Sequence, residues 1–235
     1  MINYDEYALQ QVRELRLLID HCDAWLFQEV EPFLGQRVLE VGCGLGNLTR
    51  HLTDRSLVVG IDLSAKSVAH VQAQYAAHPN LHALVYDVTD PAVLELARFE
   101  FDTAIMLNVL EHIEDDKLAL KHVRQILCPG GQVIVIVPAH KWLYGSMDRS
   151  IGHYRRYDKE MMARKMQAAG FHVRVQEHMN VLGMLGWFIN GRILKQRVPP
   201  TGQLKLFNLI VPVVQRCERL VDLPIGLSLL SVAQR

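Results

Sequence analysis

The sequence feature that most constrains the fold is a glycine run directly after a short apolar segment. Val38, Leu39 and Val41 form a short segment typical of a buried parallel strand, and Gly42, Gly44 and Gly46 follow it at alternate positions. Glycine has no Cβ and permits positive φ, so the backbone can turn sharply and approach a ligand closely. Residues 48–52 then predict the start of a helix. A strand, a glycine turn and a helix together predict a nucleotide-sized ligand site at the carboxyl edge of a parallel sheet.

The spacing of these glycines helps to distinguish between the kinds of ligand that the turn could bind. Dinucleotide-binding turns read G-x-G-x-x-G, whereas this turn reads G-x-G-x-G and is preceded by an acid, Glu40. An ordinary glycine-rich turn and a dinucleotide site with altered spacing are both alternatives. The run from Glu40 to Gly46 nevertheless resembles motif I of the class I S-adenosylmethionine-dependent methyltransferases, whose ligand carries an amino-acid end and a sulfonium rather than a phosphate.

Acidic residues end the next two predicted strands. Asp62 follows the apolar run 57–61, and Asp87 follows the run 81–86. An acid at the end of the second strand accepts hydrogen bonds from ribose hydroxyls in adenosine sites of this architecture. Asp62 has an alternative role as a helix N-terminal acid, but Ser64 is the better cap for the helix predicted after it. The resemblance implies that Asp87 contacts the adenine amino group; the alternative is a solvated turn acid.

The segment 101–113 carries the most specific resemblance. It reads F-D, five residues, then N-V-L-E-H-I, and it resembles the fourth motif of small-molecule methyltransferases, including the ubiquinone-biosynthesis-type O-methyltransferases. A proline–glycine turn at 129–131 and an apolar strand at 132–138 continue the pattern, so the resemblance covers about residues 30 to 140. It implies that Asn108 lines the methyl channel. Two roles are open for His112: a base that faces the substrate, or a side chain that forms a hydrogen bond with a loop carbonyl.

The resemblance implies S-adenosylmethionine as the cofactor and S-adenosylhomocysteine as its product. The residues that it implies in the cofactor site are Glu40, Gly42, Cys43, Gly44, Gly46, Asn47, Asp62, Leu63, Asp87, Val88, Asn108 and Val109.

Residues 139–157 predict a substrate loop, because they are polar, aromatic and cationic and leave the carboxyl end of the fifth strand. Histidines there are candidate proton acceptors, and arginines suit a carboxylate or phosphate. The alternative is that these side chains only attach the loop to the next helix. The candidate catalytic residues are His153 and His112, and the candidate substrate-binding residues are His140, Tyr144, Arg149, Tyr154, Arg155 and Arg156.

The predicted fold is a single α/β domain over residues 1–235. It is a doubly wound, Rossmann-like, seven-stranded sheet that is mostly parallel, with order 3-2-1-4-5-7-6 and strand 7 antiparallel, as the resemblance implies. A helical cap is predicted over residues 1–35. A hydrophobic helical insert is predicted over residues 181–226, between strands 6 and 7. Four interpretations of the insert stay open: a roof over the substrate pocket, a homodimer surface, a peripheral membrane contact, or additional core helices.

Composition excludes several other classes. Lys plus Arg and Asp plus Glu are 25 each, so no global field attracts nucleic acid. Four scattered cysteines without a C-x-x-C pair predict a reducing compartment and no metal site. No apolar run reaches the ~18 residues of a membrane span. We therefore expect a cytoplasmic protein, with a role in biosynthesis.

These observations predict transfer of a methyl group, by in-line displacement, to an oxygen or nitrogen of a small-molecule or lipid- or glycan-linked acceptor. Two alternatives stay open at this point. A non-catalytic S-adenosylmethionine-binding partner protein would bind the cofactor without transferring methyl. A nicotinamide-dependent reductase would carry G-x-G-x-x-G or a Tyr-x-x-x-Lys pair at the site, and no tyrosine of this chain has lysine four residues later.

Overall fold

The fold is built on one seven-stranded sheet with the order β3-β2-β1-β4-β5-β7-β6. The structure, a computed structural model, describes residues 20–218 and 224–235. Strand β7 runs antiparallel to β5 and β6, and the other pairings are parallel. The strands are β1 Arg37–Val41, β2 Leu57–Asp62, β3 Leu81–Val85, β4 Phe101–Leu107, β5 Leu127–Pro138, β6 His172–Met179 and β7 Ser228–Gln234. The predicted fold class and strand order are confirmed.

Helices cover the sheet and join its strands. They are α1 Asp20–Val30, α2 Ala65–Gln74, α3 Asp116–Ile126, α4 Ser146–Ser150, α5 Lys159–Ala168, α6 Val181–Phe188 and α7 Thr201–Glu218. Side-chain caps fix where several of them begin. Ser64 accepts a hydrogen bond from the Ser67 amide at 3.2 Å, and Asp158 accepts one from the Met161 amide at 2.7 Å. These caps satisfy amides that the first turn leaves unpaired.

The central strands are buried on both faces, as their continuous apolar runs predict. In β5, Val133 through Val137 are each 0% exposed. β5 begins five residues before the strand predicted from 132, because Leu127 pairs with Phe101 of β4 across an irregularity in register. β6 extends to Met179, which pairs with Ser228 of β7.

The helix predicted at residues 48–52 is wrong. The chain forms only a 3₁₀ turn there, Thr49–His51. The chain must start β2 at Leu57, which leaves no length for a helix. The segment after Asp90 is likewise 3₁₀, from Pro91 to Phe99.

The insert is helical and lies between β6 and β7. It contains α6, a π-helical turn Ile189–Ile193 and α7. Helix α7 packs beside α1, where the His21 ring lies 2.8 Å from the Asn208 carbonyl oxygen. The predicted cap over residues 1–35 is described only from residue 20, so its first part lies outside the described residues. Within the described ranges, no helix is both long and apolar enough to cross a bilayer.

Candidate functional site

The glycine run borders a cavity of about 260 Å³ at the carboxyl ends of β1 and β4, here called the glycine-loop cavity. Its lining comes from residues 40–48, which contain the glycine run, and from two other segments that the fold brings to this edge, α1 and the end of β4. The lining residues are Asp23, Leu26, Glu40, Val41, Gly42, Cys43, Gly44, Leu45, Asn47, Leu48, Ile105, Leu107 and Asn108.

Two of the glycines are required by the local geometry. Gly42 has φ +77°, and a Cβ there would lie 2.5 Å from a methyl of Val109. Gly44 has φ +52°, and nothing lies within 4 Å of the position that its Cβ would take. The space beside Gly44 is therefore open, so a ligand can lie directly against the backbone.

Asp62 fixes the shape of this turn. One of its carboxylate oxygens accepts a hydrogen bond from the Gly44 amide at 2.9 Å, and the other accepts one from the Ser64 amide at 2.8 Å. The carboxylate therefore connects the end of β2 to the glycine run at the end of β1.

Glu40 is a buried acid on the wall of the cavity. The Thr49 hydroxyl donates a hydrogen bond to its carboxylate at 2.6 Å. Burial raises the pKa of Glu40 to about 7, although the bond from Thr49 acts in the opposite direction. A ligand cation placed beside this carboxyl would favour its ionised form.

The charge of this lining discriminates between ligands. Asp23 and Glu40 are acidic, and none of the described lining residues is Lys, Arg or His. A pyrophosphate would find no cationic side chain there, whereas ammonium and sulfonium groups would face carboxylates. The residues present therefore fit the cofactor that the sequence implies better than a dinucleotide.

Half of the twelve predicted cofactor residues line this cavity, namely Glu40, Gly42, Cys43, Gly44, Asn47 and Asn108. The other six are not among its lining residues, and their predicted roles stay predictions. Val109 packs against Gly42, and the Gly46 carbonyl accepts a bond from Tyr75. Leu63 is exposed and Val88 is buried.

Asp87 lies two residues past the end of β3, at the same edge of the sheet as Asp62. Its carboxylate accepts hydrogen bonds from the amide and the hydroxyl of Thr89, each at 2.7 Å.

A second cavity of about 680 Å³, here called the apolar cavity, lies beside the first. Nearly half of its lining residues belong to the insert, and most of those are apolar, including Leu185, Ile189, Leu206 and Phe207. Asp23, Leu26 and Asn108 line both cavities. Asn108 adopts φ +52°, a region in which asparagine is tolerated better than most residues, and it follows the last residue of β4. The two cavities therefore meet at the end of β4, where the resemblance placed the methyl channel.

The polar end of the apolar cavity is organised around His153. Its Nδ1 lies 3.0 Å from a carboxylate oxygen of Asp148. The same oxygen accepts a bond from Arg156 Nε at 2.7 Å, and the other carboxylate oxygen accepts one from the Trp187 indole at 3.1 Å. Burial alone would raise the pKa of Asp148, but His153 and Arg156 outweigh it and lower the pKa. An ionised Asp148 selects the tautomer with hydrogen on Nδ1, which leaves Nε2 of His153 as a proton acceptor.

Glu111 and His112 border the same end of the cavity. Both carboxyl oxygens of Glu111 are buried without a hydrogen-bond partner among the described residues, and His153 Nε2 lies 3.7 Å from one of them. Burial raises the pKa of Glu111 to about 8, so its neutral form is favoured near pH 7. Desolvation, followed by the effect of His153, lowers the pKa of His112 to about 4, although part of its ring is exposed.

One ligand atom from each of Glu111, His112 and His153 lies within 4.8 Å of the others. Imidazole and carboxylate groups are ligands for divalent transition metals. The sequence prediction of no metal site rested on cysteines and on spacing along the chain, and it stays a prediction.

The remaining predicted substrate-loop residues do not line either cavity. Arg155 binds Asp116 at 2.9 Å, and the Tyr144 hydroxyl donates to the His153 carbonyl at 2.8 Å. The His140 ring stacks on His178 with 4.7 Å between centroids. Arg149 and Tyr154 are exposed at the surface. Only Arg156, His153 and His112 of the predicted catalytic and substrate residues border the apolar cavity.

The sequence reasoning missed Glu111, Asp148 and Trp187 in this site. Glu111 stands directly before His112 in the most specific motif, so that motif could have indicated it. Asp148 lies five residues before His153, but the spacing alone does not show that the two side chains meet. Trp187 belongs to the insert, and no local signal connects it with Asp148.

Comparison with known proteins gives a family for the central part of the chain. Residues 39–133 match the model of a methyltransferase domain. A ubiquinone biosynthesis O-methyltransferase from Paracidovorax citrulli is 33% identical over 128 residues, which are 53% of this chain and 50% of that protein. An uncharacterized methyltransferase from Mycobacterium bovis is 34% identical over 119 residues, which are 49% of this chain and 57% of that protein. The chain spans about half the length of these curated relatives.

A solved structure covers the chain more completely. A S-adenosylmethionine-dependent methyltransferase from Thermotoga maritima, described as a possible histamine N-methyltransferase, aligns with 100% of this chain and 99% of its own. The TM-score is 0.66 at 18% sequence identity, which establishes a common fold. The recognition made from the motifs is therefore confirmed: residues 39–133 match a methyltransferase domain, and the chain shares the fold of S-adenosylmethionine-dependent methyltransferases.

Proposed function

We propose that this protein transfers a methyl group from S-adenosylmethionine to an oxygen or nitrogen atom of a small acceptor with an apolar body. The observation that carries the proposal is the meeting of the two cavities at Asn108. One cavity suits a cationic nucleoside ligand, and the other has apolar walls with a histidine and two further titratable residues at one end. The family match over residues 39–133 supports the same chemistry.

The glycine-loop cavity supplies binding and orientation. The backbone at Gly44 is open to close approach, and Glu40 and Asp23 complement positive charge on the ligand. When bound, S-adenosylmethionine supplies an electrophilic methyl group on a sulfonium. We assign contacts with the ribose to Asp62 and with the base to Asp87, as the family resemblance implies.

The apolar cavity holds the acceptor, and His153 at its polar end removes the acceptor's proton. Its walls exclude water and hold the acceptor beside Asn108, so that nucleophile and methyl group meet at near-attack distance. His153 Nε2 takes the proton of the acceptor hydroxyl or amine as the new bond to carbon forms and the sulfur–carbon bond breaks. Asp148 stabilises the resulting imidazolium through Nδ1, and it is a positioning residue because it acts through His153.

Glu111 and His112 fit this assignment through their protonation states. A neutral Glu111 can donate a hydrogen bond to the acceptor, and a neutral His112 avoids repulsion of the imidazolium that forms on His153. The raised pKa of Glu111 and the lowered pKa of His112 both favour these forms near pH 7.

Calorimetry with S-adenosylhomocysteine tests the cofactor half of the proposal. We expect binding by the wild type and a loss of at least about tenfold in Asp62→Ala, since a charge-assisted contact contributes about 1.5–3 kcal/mol. Equal affinity for S-adenosylhomocysteine in both proteins would mean that Asp62 does not contribute to the cofactor site and that the site has been assigned wrongly.

Methyl transfer is tested with labelled S-adenosylmethionine and a panel of phenols, catechols and amines that carry alkyl chains of increasing length. The proposal predicts transfer that improves with an apolar tail. Strong S-adenosylhomocysteine binding without transfer to any acceptor in the panel or in a solvent extract of cells would favour a non-catalytic binding protein.

A further inference from the structure

The outer face of the insert exposes apolar side chains around the opening of the apolar cavity. Leu185, Ile189 and Leu206 line the cavity and are also 51%, 47% and 59% exposed. They therefore form the rim through which an acceptor enters. On α7 the apolar surface continues from Leu206 to Leu209 and Val213, at helical spacing of three and seven residues. An exposed apolar surface of this continuity marks an interaction site rather than ordinary solvent contact.

The charges of the same segment have one sign. Residues 178–217 contain Arg192, Lys195, Arg197, Lys205 and Arg216 but no Asp or Glu, in a chain whose Lys plus Arg and Asp plus Glu are 25 each. These five cationic residues are all exposed. Glu218, the first acid after them, accepts hydrogen bonds from the amides of Asn180 and Val181 at 2.7 and 2.8 Å. A helical surface that combines exposed leucines with lysines and arginines is the pattern of an interfacial membrane-binding helix.

We propose that this face of the insert docks on an anionic lipid surface, with the rim of the apolar cavity turned toward the lipid. An acceptor dissolved in the membrane would then enter the cavity without crossing water. The entry of an acceptor rests on the proposed function, whereas the docking itself does not.

The charge pattern favours lipid over a second copy of the chain. A two-fold dimer places the same patch on both sides of the interface, so the cations of one copy would meet the cations of the other without an acid to pair them. An anionic lipid surface instead pairs these cations and takes up the leucine side chains at the same time.

Flotation of the full-length protein with lipid vesicles tests the docking. We expect binding to vesicles of phosphatidylcholine with phosphatidylglycerol, weak binding to phosphatidylcholine alone, and a decrease with added salt because the Debye length shortens. The double variant Lys205→Glu/Arg216→Glu should bind at least about 25-fold more weakly, since each basic residue near an anionic surface contributes about fivefold. The matched control Lys117→Glu/Lys121→Glu, on exposed positions of α3, should bind as the wild type does.

The apolar contribution has its own pair of variants. Leu209→Glu should abolish flotation, and Leu209→Phe should preserve it, because only the second keeps an apolar side chain at the interface. The melting temperature of each variant, measured without ligand, should match that of the wild type, which would show that the variants are folded. Flotation is measured without cofactor or acceptor, so its failure is distinct from a failure of methyl transfer.

Three results would overturn the docking proposal. The wild type would remain unbound with both vesicle types, or the control on α3 would weaken binding as much as the variant on α7. Alternatively, sedimentation equilibrium would show a dimer that Leu209→Glu converts to monomers, in which case a second copy covers this face.

Discussion

The two cavities differ in how the chain builds them. The glycine-loop cavity takes most of its wall from one continuous segment, residues 40–48, and from the end of β4. The apolar cavity is assembled from α1, the segment after β4, loop 139–157, the insert and the residues on either side of the insert, which are far apart in sequence. The first is small, with acids and no described cation in its lining, and the second is large and mostly apolar. A short motif therefore determines the cofactor half, whereas the tertiary fold determines the acceptor half.

The difference predicts that variants in one cavity leave the other intact. His153→Gln should lower the rate of methyl transfer by about 10²- to 10⁴-fold, the usual contribution of a general base, while its affinity for S-adenosylhomocysteine stays that of the wild type. Single-turnover assays and calorimetry measure the two quantities. His172→Gln, at an exposed position of β6, is the matched control. Full turnover by His153→Gln near neutral pH would remove this residue from the reaction.

Glu111, in the lining of the apolar cavity, makes the stability of the folded protein depend on pH, and the sequence motif that contains it does not reveal this effect. Burial raises its pKa from 4.5 to about 8 in the folded protein. The folded state therefore holds this proton more tightly than the unfolded chain does, and stability falls as pH rises from 4.5 to 8. The free energy of unfolding of Glu111→Gln should increase relative to that of the wild type through this window, by at most about 5 kcal/mol, and level off above it.

Urea unfolding at a series of pH values measures that difference. Glu114→Gln, an exposed acid close in sequence, should show no comparable trend. A constant difference between Glu111→Gln and the wild type from pH 4.5 to 8 would mean that the Glu111 carboxyl is ionised as readily in the fold as in water.

Gly44→Ala should have the reverse effect of His153→Gln. Its Cβ would project into open space at φ +52°, so the backbone costs about 1–2 kcal/mol of stability and the methyl group occupies ligand space. We expect S-adenosylhomocysteine to bind about 10- to 100-fold more weakly by calorimetry. Gly202→Ala also has open space around its Cβ, but without positive φ, and it should bind normally. Unchanged affinity in Gly44→Ala would place the ligand elsewhere.

The smallest effect is expected where neither cavity is touched. Asp158→Ala removes the cap of α5 and should lower the free energy of unfolding by about 1 kcal/mol, with ligand affinity unchanged. Lys141→Ala isolates the accompanying surface ion pair at 2.8 Å, which should contribute less than the cap. Equal destabilisation by the two variants would assign the effect to the ion pair.

The sequence predicted the sheet because its signals are local. Apolar runs, glycine turns and capping residues such as Ser64 and Asp158 act within a few positions, and the strand order follows from the family resemblance. The helix after the glycine run failed because the start of β2 limited the length of chain available. Trp187 reaches Asp148 only after β6 has carried the chain back to the sheet, and no spacing in the sequence encodes that contact.

The predicted cationic loop shows the same limit. Residue type suggested that Arg155 and Arg156 have similar roles, but Arg155 pairs with Asp116, whereas Arg156 pairs with the buried Asp148 and lines the apolar cavity. Packing in the folded chain decides which of the two arginines borders the cavity, and the substrate-binding role of each stays a prediction.

The measurement that most directly tests the central claim is a calorimetric titration of the wild-type protein with S-adenosylhomocysteine and, separately, with NADH. Because acids line the glycine-loop cavity and none of its described lining residues is a cation, we expect S-adenosylhomocysteine to bind and NADH to give no measurable heat. Binding of NADH with equal or greater affinity would contradict the assignment of this cavity.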